Sequence, residues 1–204
     1  MARIKLCGIQ SDADLDIINE AAPDYIGFVF AKSKRQVTIP LAKRLIAKTK
    51  IPCVGVFVNE ELATVVEIVK ETACDIIQLH GDEDASYLQE LKKRTGCEIW
   101  KALLIQSVDD CKVMHTMQAD RYLIDSFTPD QYGGSGKRIH MDIIKQIDVS
   151  ELIIAGGIAS EHVAELLALH PYGIDVSSSI ETNGRKDKEK VHILMDKLRN
   201  GRKS

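Results

Sequence analysis

No apolar run in the 204 residues approaches the ~20 consecutive residues that a membrane-spanning helix needs, so nothing in the chain is expected to span a bilayer. The opening segment, Met1-Ala2-Arg3-Ile4-Lys5-Leu6-Cys7, enters a strand pattern at once and lacks an apolar stretch of signal-peptide length. Charge of one sign is concentrated nowhere. A net charge of −3 is spread over interspersed acids and bases, which excludes the basic stripe of a nucleic-acid binder and leaves only Arg199 to Ser204 as a loose basic end. The five cysteines (Cys7, Cys53, Cys74, Cys97, Cys111) are odd in number, widely spaced and form no CxxC, which fits reduced thiols in a cytoplasmic protein rather than a disulfide framework. Neither GxGxxG nor GxxxxGK[ST] occurs, so a nucleotide cofactor has no visible site.

What is present is a regular alternation. Short β-branched runs trade places with longer amphipathic stretches along the whole chain, the pattern of βα units on a parallel sheet. Strands are expected at 4–7, 25–30, 52–58, 76–79, 98–103, 121–124, 152–155 and 173–176. Their starts lie 21, 27, 24, 22, 23, 31 and 21 residues apart, near the minimum for a strand, a helix and two short loops. Eight such units in a chain that is 45% hydrophobic predict one (β/α)8 barrel domain over residues 1–204, nearly free of insertions. Leu62, Val65, Val66, Ile68 and Val69 after strand 3, and Leu88 and Leu91 after strand 4, form stripes at helical spacing that belong to the core.

Two turns stand out at the end of the barrel. After Leu152-Ile153-Ile154-Ala155, Gly156-Gly157 removes both Cβ atoms where the backbone turns, so that N–H groups can approach a ligand closely. After Gly173-Ile174-Asp175-Val176, the run Ser177-Ser178-Ser179 opens a second turn with outward N–H groups, expected to be the first turn of a short helix. Such paired turns after strands 7 and 8 are where (β/α)8 barrels commonly hold a substrate phosphate. The 31-residue interval after strand 6 carries Asp125-Ser126 and Gly133-Gly134-Ser135-Gly136, a glycine-rich loop able to close over a ligand.

Reactive groups in this fold sit where strands run into βα loops. Those places hold Cys7, then Lys32-Ser33-Lys34-Arg35 after strand 2, His80 after strand 4 and Asp125 after strand 6. Taken singly, Cys7 reads as a small buried hydrophobe, Asp125 as a turn-former, His80 as a loop histidine and Arg35 as part of a solvated basic run. Convergence on one barrel face turns them into a set suited to acid/base chemistry on a phosphorylated anion. His80 is the only histidine at a strand end and no second ligand stands at metal spacing, so a metal centre, and with it a metal-dependent sugar-phosphate epimerase, is not expected.

Assembled in order, Lys5-Leu6-Cys7-Gly8-Ile9, Ser33-Lys34-Arg35, Gly55-Val56-Phe57-Val58-Asn59, Gln78-Leu79-His80-Gly81, Asp125-Ser126 with Gly133-Gly134-Ser135-Gly136, Ala155-Gly156-Gly157-Ile158 and Asp175-Val176-Ser177-Ser178 resemble phosphoribosylanthranilate isomerase of tryptophan biosynthesis. The resemblance runs from residue 5 to Lys186-Asp187. One position departs from it: Ser179 stands where the family usually has Gly. The resemblance implies a cofactor-free Amadori rearrangement of N-(5-phosphoribosyl)anthranilate, by a monomer or homodimer whose partner is a small phosphosugar, not a nucleic acid or a membrane. It implies Asp125 as the acid that opens the furanose ring and Cys7 as the base that removes the C2 proton. A free Asp has a pKa of about 3.9, so the site of Asp125 must disfavour its charged form, whereas a thiol near 8.5 needs only a modest shift. Arg35 is implied as the partner of the anthranilate carboxylate, and His80, Gly134, Ser135, Gly156, Gly157, Asp175, Ser177, Ser178 and Ser179 as further substrate-binding residues.

Two other readings stay open on the residues alone. One is another cofactor-free sugar-phosphate isomerase of this fold, such as the histidine-pathway aminoaldose isomerase, which uses two carboxylates; a first strand ending in Cys7 rather than Asp speaks against it. The other is a non-catalytic phosphosugar-binding barrel, against which the presence of both Cys7 and Asp125 speaks.

Overall fold

A computed structural model describes residues 2–126 and 141–201. Eight parallel strands close into a barrel in sequence order, with β1 pairing both β2 and β8. They are β1 (Arg3–Cys7), β2 (Tyr25–Val29), β3 (Cys53–Phe57), β4 (Ile76–Leu79), β5 (Glu98–Ile105), β6 (Arg121–Ser126), β7 (Leu152–Ile154) and β8 (Gly173–Val176). Helices α1 (Asp12–Ala21), α2 (Ile39–Ile46), α3 (Leu62–Thr72) and α4 (Ala85–Thr95) follow the first four strands. The shorter α5 (Met114–Met117), α6 (Met141–Ile144) and α7 (Val163–Leu167) and the long α8 (Lys188–Gly201) follow the rest. No described helix is long and apolar enough to cross a membrane.

Strand alternation sorts the side chains into two layers. Ile4, Leu6, Ile26, Phe28, Ile77 and Leu79 point outward into one cluster with the helix stripes, including Val65, Ile68, Val69, Leu88 and Leu91. Cys7, Val54, Val56, Ile76, Trp100, Leu123 and Ile153 fill the barrel interior. The helix ends are set locally. Ser11 caps α1 by accepting from the Asp14 N–H at 3.1 Å, and Asp84 caps α4 by accepting from the Tyr87 N–H at 2.8 Å, each satisfying a donor that the first turn leaves open.

The observed strands match the expected ones in number and order, with shifts at their ends. β6 runs on to Ser126 because Leu104 and Ile105 of β5 continue the register opposite Asp125 and Ser126. Asp125 is therefore held on a strand, on its inward face, rather than starting a loop. The basic end is not loose throughout: Arg199 lies within α8 and its guanidinium donates to the Ala21 carbonyl. The glycine-rich loop after strand 6, with Gly134 and Ser135, lies outside the described residues.

One pair of strands was not anticipated. β9 (Glu181–Thr182) and β10 (Arg185–Lys186) form an antiparallel hairpin directly after β8 and its short 3-10 turn. Asn183 (φ 52°) and Gly184 (φ 75°) make the two-residue turn, and an Asn-Gly pair is the sequence that tolerates positive φ at both places.

Candidate active site

A cavity of about 830 Å³ opens at the C-terminal end of the barrel. It is lined by Cys7, Arg35, His80, Asp125, Gly156, Gly157, Asp175, Ser177, Ser178 and Ser179, so every described residue singled out from the sequence faces the same space. Gly134 and Ser135 lie outside the described residues.

The thiol of Cys7 sits at the end of β1 and is 7% exposed. Gly27, its register neighbour on β2, makes room for it: a Cβ there would lie 2.5 Å from Sγ. Two residues earlier on the same inward face, the fully buried Lys5 places its Nζ 2.7 Å from Asp175 Oδ2. Burial alone would lower the Lys5 pKa, but the negative charges of Asp175 and Cys7 carry it above its ordinary value, so the ammonium persists. Around the thiol, burial is the largest influence and pushes its pKa up, while the Lys5 and Lys186 ammonium groups pull it down and Asp175 adds to the rise. The balance lies above the ordinary thiol value, against the modestly ionised thiol expected from the sequence. Shut away from water, the thiol loses more from burial than the two ammonium groups return.

Arg35 is neither a solvated surface residue nor an unattached one. Its Nε and Nη2 donate to the two carboxylate oxygens of Glu181, each at 2.8 Å. Lys186, from the other strand of the hairpin, joins Glu181 at 2.8 Å and also donates to the carbonyls of Cys7 at 2.6 Å and Ser177 at 3.1 Å. Arg35 is half-buried, and its bond to Glu181 raises its pKa further. Desolvation alone would raise the Glu181 pKa, but the two cations bring it below the usual carboxylate range. Gly8, at φ +85°, lets the Arg35 side chain pass: a Cβ there would stand 2.5 Å from Cδ.

The two turns have the expected positions. Gly156 (φ 90°) and Gly157 (φ 56°) both adopt left-handed backbone, which explains the paired glycines. Ser177 precedes a 3-10 turn over Ser178–Ile180, the short helical turn expected there, without a side-chain bond to cap it. Two of the serine hydroxyls bond within the protein. Ser177 Oγ donates to the Cys7 carbonyl at 3.1 Å, and Ser179 Oγ donates to the Ile158 carbonyl. A hydroxyl has one proton, so these two are already committed and tie the second turn to β1 and to the glycine turn.

Asp125, 3% exposed, faces His80 across the cavity wall with Oδ2 3.2 Å from Nε2. Behind His80, Gln78 Nε2 lies 3.0 Å from Nδ1. The loop that carries His80 is anchored from outside the barrel. Glu83 accepts from the N–H groups of Asn59 at 2.8 Å and Gly81 at 3.0 Å in the loops after β3 and β4, and pairs with the buried Lys101 at 3.0 Å.

Four residues escaped the reading from sequence: Lys5, Gln78, Glu181 and Lys186. The signal for the first two was available, since each lies two residues before a candidate (Cys7, His80) on a strand and so shares its inward face. Thr182-Asn183-Gly184-Arg185 is likewise a hairpin signal that would have brought Glu181 beside Lys186.

A family model described as N-(5'phosphoribosyl)anthranilate (PRA) isomerase matches residues 4–197. The chain belongs to this family. An N-(5'-phosphoribosyl)anthranilate isomerase of Clostridium kluyveri is 41% identical over 204 residues, covering 98% of this chain and 99% of that protein. One from Thermoanaerobacter sp. (strain X514) is 36% identical over 203 residues, covering 98% of each. Among solved structures, the phosphoribosyl anthranilate isomerase of Thermotoga maritima superposes with a TM-score of 0.86 at 27% identity, covering 98% of this chain and 100% of that one. Another isomerase of the family, 26% identical over 98% of this chain and all of that one with a TM-score of 0.82, was solved in complex with reduced 1-(o-carboxyphenylamino)-1-deoxyribulose 5-phosphate. Membership makes the chain a PRA isomerase, an enzyme of tryptophan biosynthesis with the (β/α)8 barrel described above.

Proposed function

We propose that the whole chain acts as one catalytic barrel, converting N-(5-phosphoribosyl)anthranilate to 1-(o-carboxyphenylamino)-1-deoxyribulose 5-phosphate without a cofactor, with Asp125 as acid and Cys7 as base. The observation that carries this reading is that β1 and β6, which are not neighbours in the barrel, deliver a thiol and a carboxyl group into one cavity whose rim holds the two turns after β7 and β8. Asp125 passes its proton to the ring oxygen as the C1–O bond breaks and the anilino nitrogen lone pair forms C1=N⁺. The cation acidifies C2–H, and Cys7 removes that proton as the C2–H pair forms C1=C2 and the C1=N⁺ π pair returns to nitrogen. Protonation of the resulting enaminol at C1 and loss of the hydroxyl proton leave the ketone at C2. The iminium adds a further positive charge beside those of Lys5 and Lys186, so the buried thiol ionises more readily once the ring has opened.

The phosphate is held by backbone N–H groups of the turns at Gly156-Gly157 and Ser177–Ser179, with the serine hydroxyls bracing the cradle rather than contacting the ligand. Arg35 offers the guanidinium edge not used by Glu181 to the anthranilate carboxylate. Asp175 Oδ1, buried without a hydrogen-bond partner, and Gly134 and Ser135 complete the substrate contacts, and the protein works as a monomer or homodimer. The test is direct. Purified protein in excess chelator, given freshly made phosphoribosylanthranilate, is expected to consume it with loss of anthranilate fluorescence; no turnover, or turnover abolished by chelator, defeats the reading.

A further inference from the structure

Three buried side-chain atoms of the described residues have no hydrogen-bond partner: Gln78 Oε1, His80 Nε2 and Asp175 Oδ1. All three belong to residues lining the active-site cavity. Buried polar atoms are rarely left unsatisfied without a functional reason. Two of them belong to a contiguous row. Gln78 on the inward face of β4 and His80 directly after the strand face the same way, Gln78 Nε2 meets His80 Nδ1 at 3.0 Å, and His80 Nε2 lies 3.2 Å from Asp125 Oδ2. Gln78 is 1% exposed and His80 8%, so water does not compete for these contacts.

We propose that Gln78 is a positioning residue: its carboxamide donates to His80 Nδ1, fixes the imidazole in the Nε2–H tautomer, and so turns a donor rather than an acceptor toward Asp125. The amide N–H of Gln78 requires a bare Nδ1, and a neutral imidazole then carries its single proton on Nε2. The other tautomer would place a bare nitrogen 3.2 Å from the carboxyl oxygen. That nitrogen would repel the ionised carboxylate and would capture the proton of the protonated acid. With Nε2 already protonated, His80 cannot take the Asp125 proton, which goes to the substrate instead. After the transfer, the same N–H stabilises the carboxylate that is left. The two atoms are close but not aligned as a hydrogen bond. Catalytic contacts of this kind commonly tighten only once substrate is bound. The role differs from that of Glu83 and Lys101, which hold the backbone of the same loop but touch neither ring nitrogen.

This inference rests on the assignment of Asp125 as acid, but the two can fail separately. Two-bond proton–nitrogen correlation spectra of 15N-histidine protein near neutral pH, with His80→Asn identifying the His80 signals, read the tautomer directly. The expected result is a protonated Nε2 and a bare Nδ1 in the wild type. Gln78→Glu replaces the donor by an acceptor, so the two nitrogens should exchange character and kcat should fall roughly tenfold, with KM little changed. Gln78→Met, close in volume but without either group, should give a mixed tautomer and a smaller loss in kcat. A bare Nε2 in the wild-type protein overturns the proposal without needing any variant to fold. So does a wild-type kcat in both variants. Absence of turnover by the wild type would instead defeat the assigned activity and leave the tautomer measurement standing.

Discussion

Arg35 and Glu181 meet through two parallel hydrogen bonds of 2.8 Å, Nε to Oε1 and Nη2 to Oε2, and this pairing decides how the arginine is presented to the cavity. A fork held along one edge keeps the other edge in a fixed plane, the arrangement that suits a carboxylate ligand. Glu181→Gln should therefore raise KM for phosphoribosylanthranilate, and Arg35→Ala should raise it more, on the order of tenfold or beyond, each with a smaller change in kcat. Arg35→Lys should rescue only part. With the aniline analogue, which lacks the carboxylate, wild type and Arg35→Ala should converge; a persistent difference would show that Arg35 acts elsewhere.

The same pairing should appear in the acid dependence of stability. The folded protein depresses the Glu181 pKa, so its contribution is fully present above the unfolded carboxylate value of about 4.3 and is lost as pH falls through the lower folded value. Urea midpoints measured from pH 7 down to pH 3 should converge for wild type and Glu181→Gln at the acid end. A gap that stays constant across that range would remove Glu181 from the pH dependence.

Cys7→Ser and Asp125→Asn should each lower kcat by ~10²-fold or more while substrate still binds, because each removes the proton-transfer group proposed for one step. Since burial holds the Cys7 thiol above its ordinary value, alkylation of Cys7 in the ligand-free enzyme should accelerate with rising pH into the alkaline range. Peptide mass spectrometry of iodoacetamide-treated protein follows that rate. A plateau reached below pH 8 would mean that Lys5 and Lys186 outweigh burial.

Ser179→Gly should leave kcat/KM within about threefold, because the turn that contains Ser179 needs no positive φ there and its hydroxyl is directed at Ile158 rather than the cavity. Stability should fall. Loss of the bond between the two turns and the added backbone freedom together cost about 1–2 kcal/mol, a drop of roughly 3–6 °C in Tm. Calorimetry showing a more stable variant would mean that Ser179 is strained.

Lys101→Met should destabilise the protein by about 3–5 kcal/mol, since Glu83 would remain buried with its charge uncompensated. The double variant Lys101→Met/Glu83→Gln should recover part of that loss, because the carboxamide oxygen introduced by Glu83→Gln is uncharged and can still accept one of the two loop N–H groups. Denaturant unfolding of the four proteins gives the coupling. Additive losses would deny that the two side chains act as a pair.

What the sequence determined is the architecture and the address of the chemistry. Eight short β-branched runs separated by helical stripes at near-minimal spacing give a closed parallel barrel, and alternation then sends Cys7, His80 and Asp125 to the same mouth. Gly156-Gly157 was legible for a local reason: both residues take φ values that disfavour a side chain. Contacts between residues far apart in the chain were not legible, because nothing local specifies them. Only closure of β1 on β8 sets Lys5 against Asp175, 170 residues away, and only the fold-back of the β9–β10 hairpin sets Glu181 against Arg35. The tertiary structure likewise decided the electrostatics. The sequence presents an ordinary thiol and three serine hydroxyls, whereas the folded barrel strips the thiol of water and commits two of the hydroxyls to backbone carbonyls, since a proton's affinity and a hydroxyl's partner depend on what surrounds them in space.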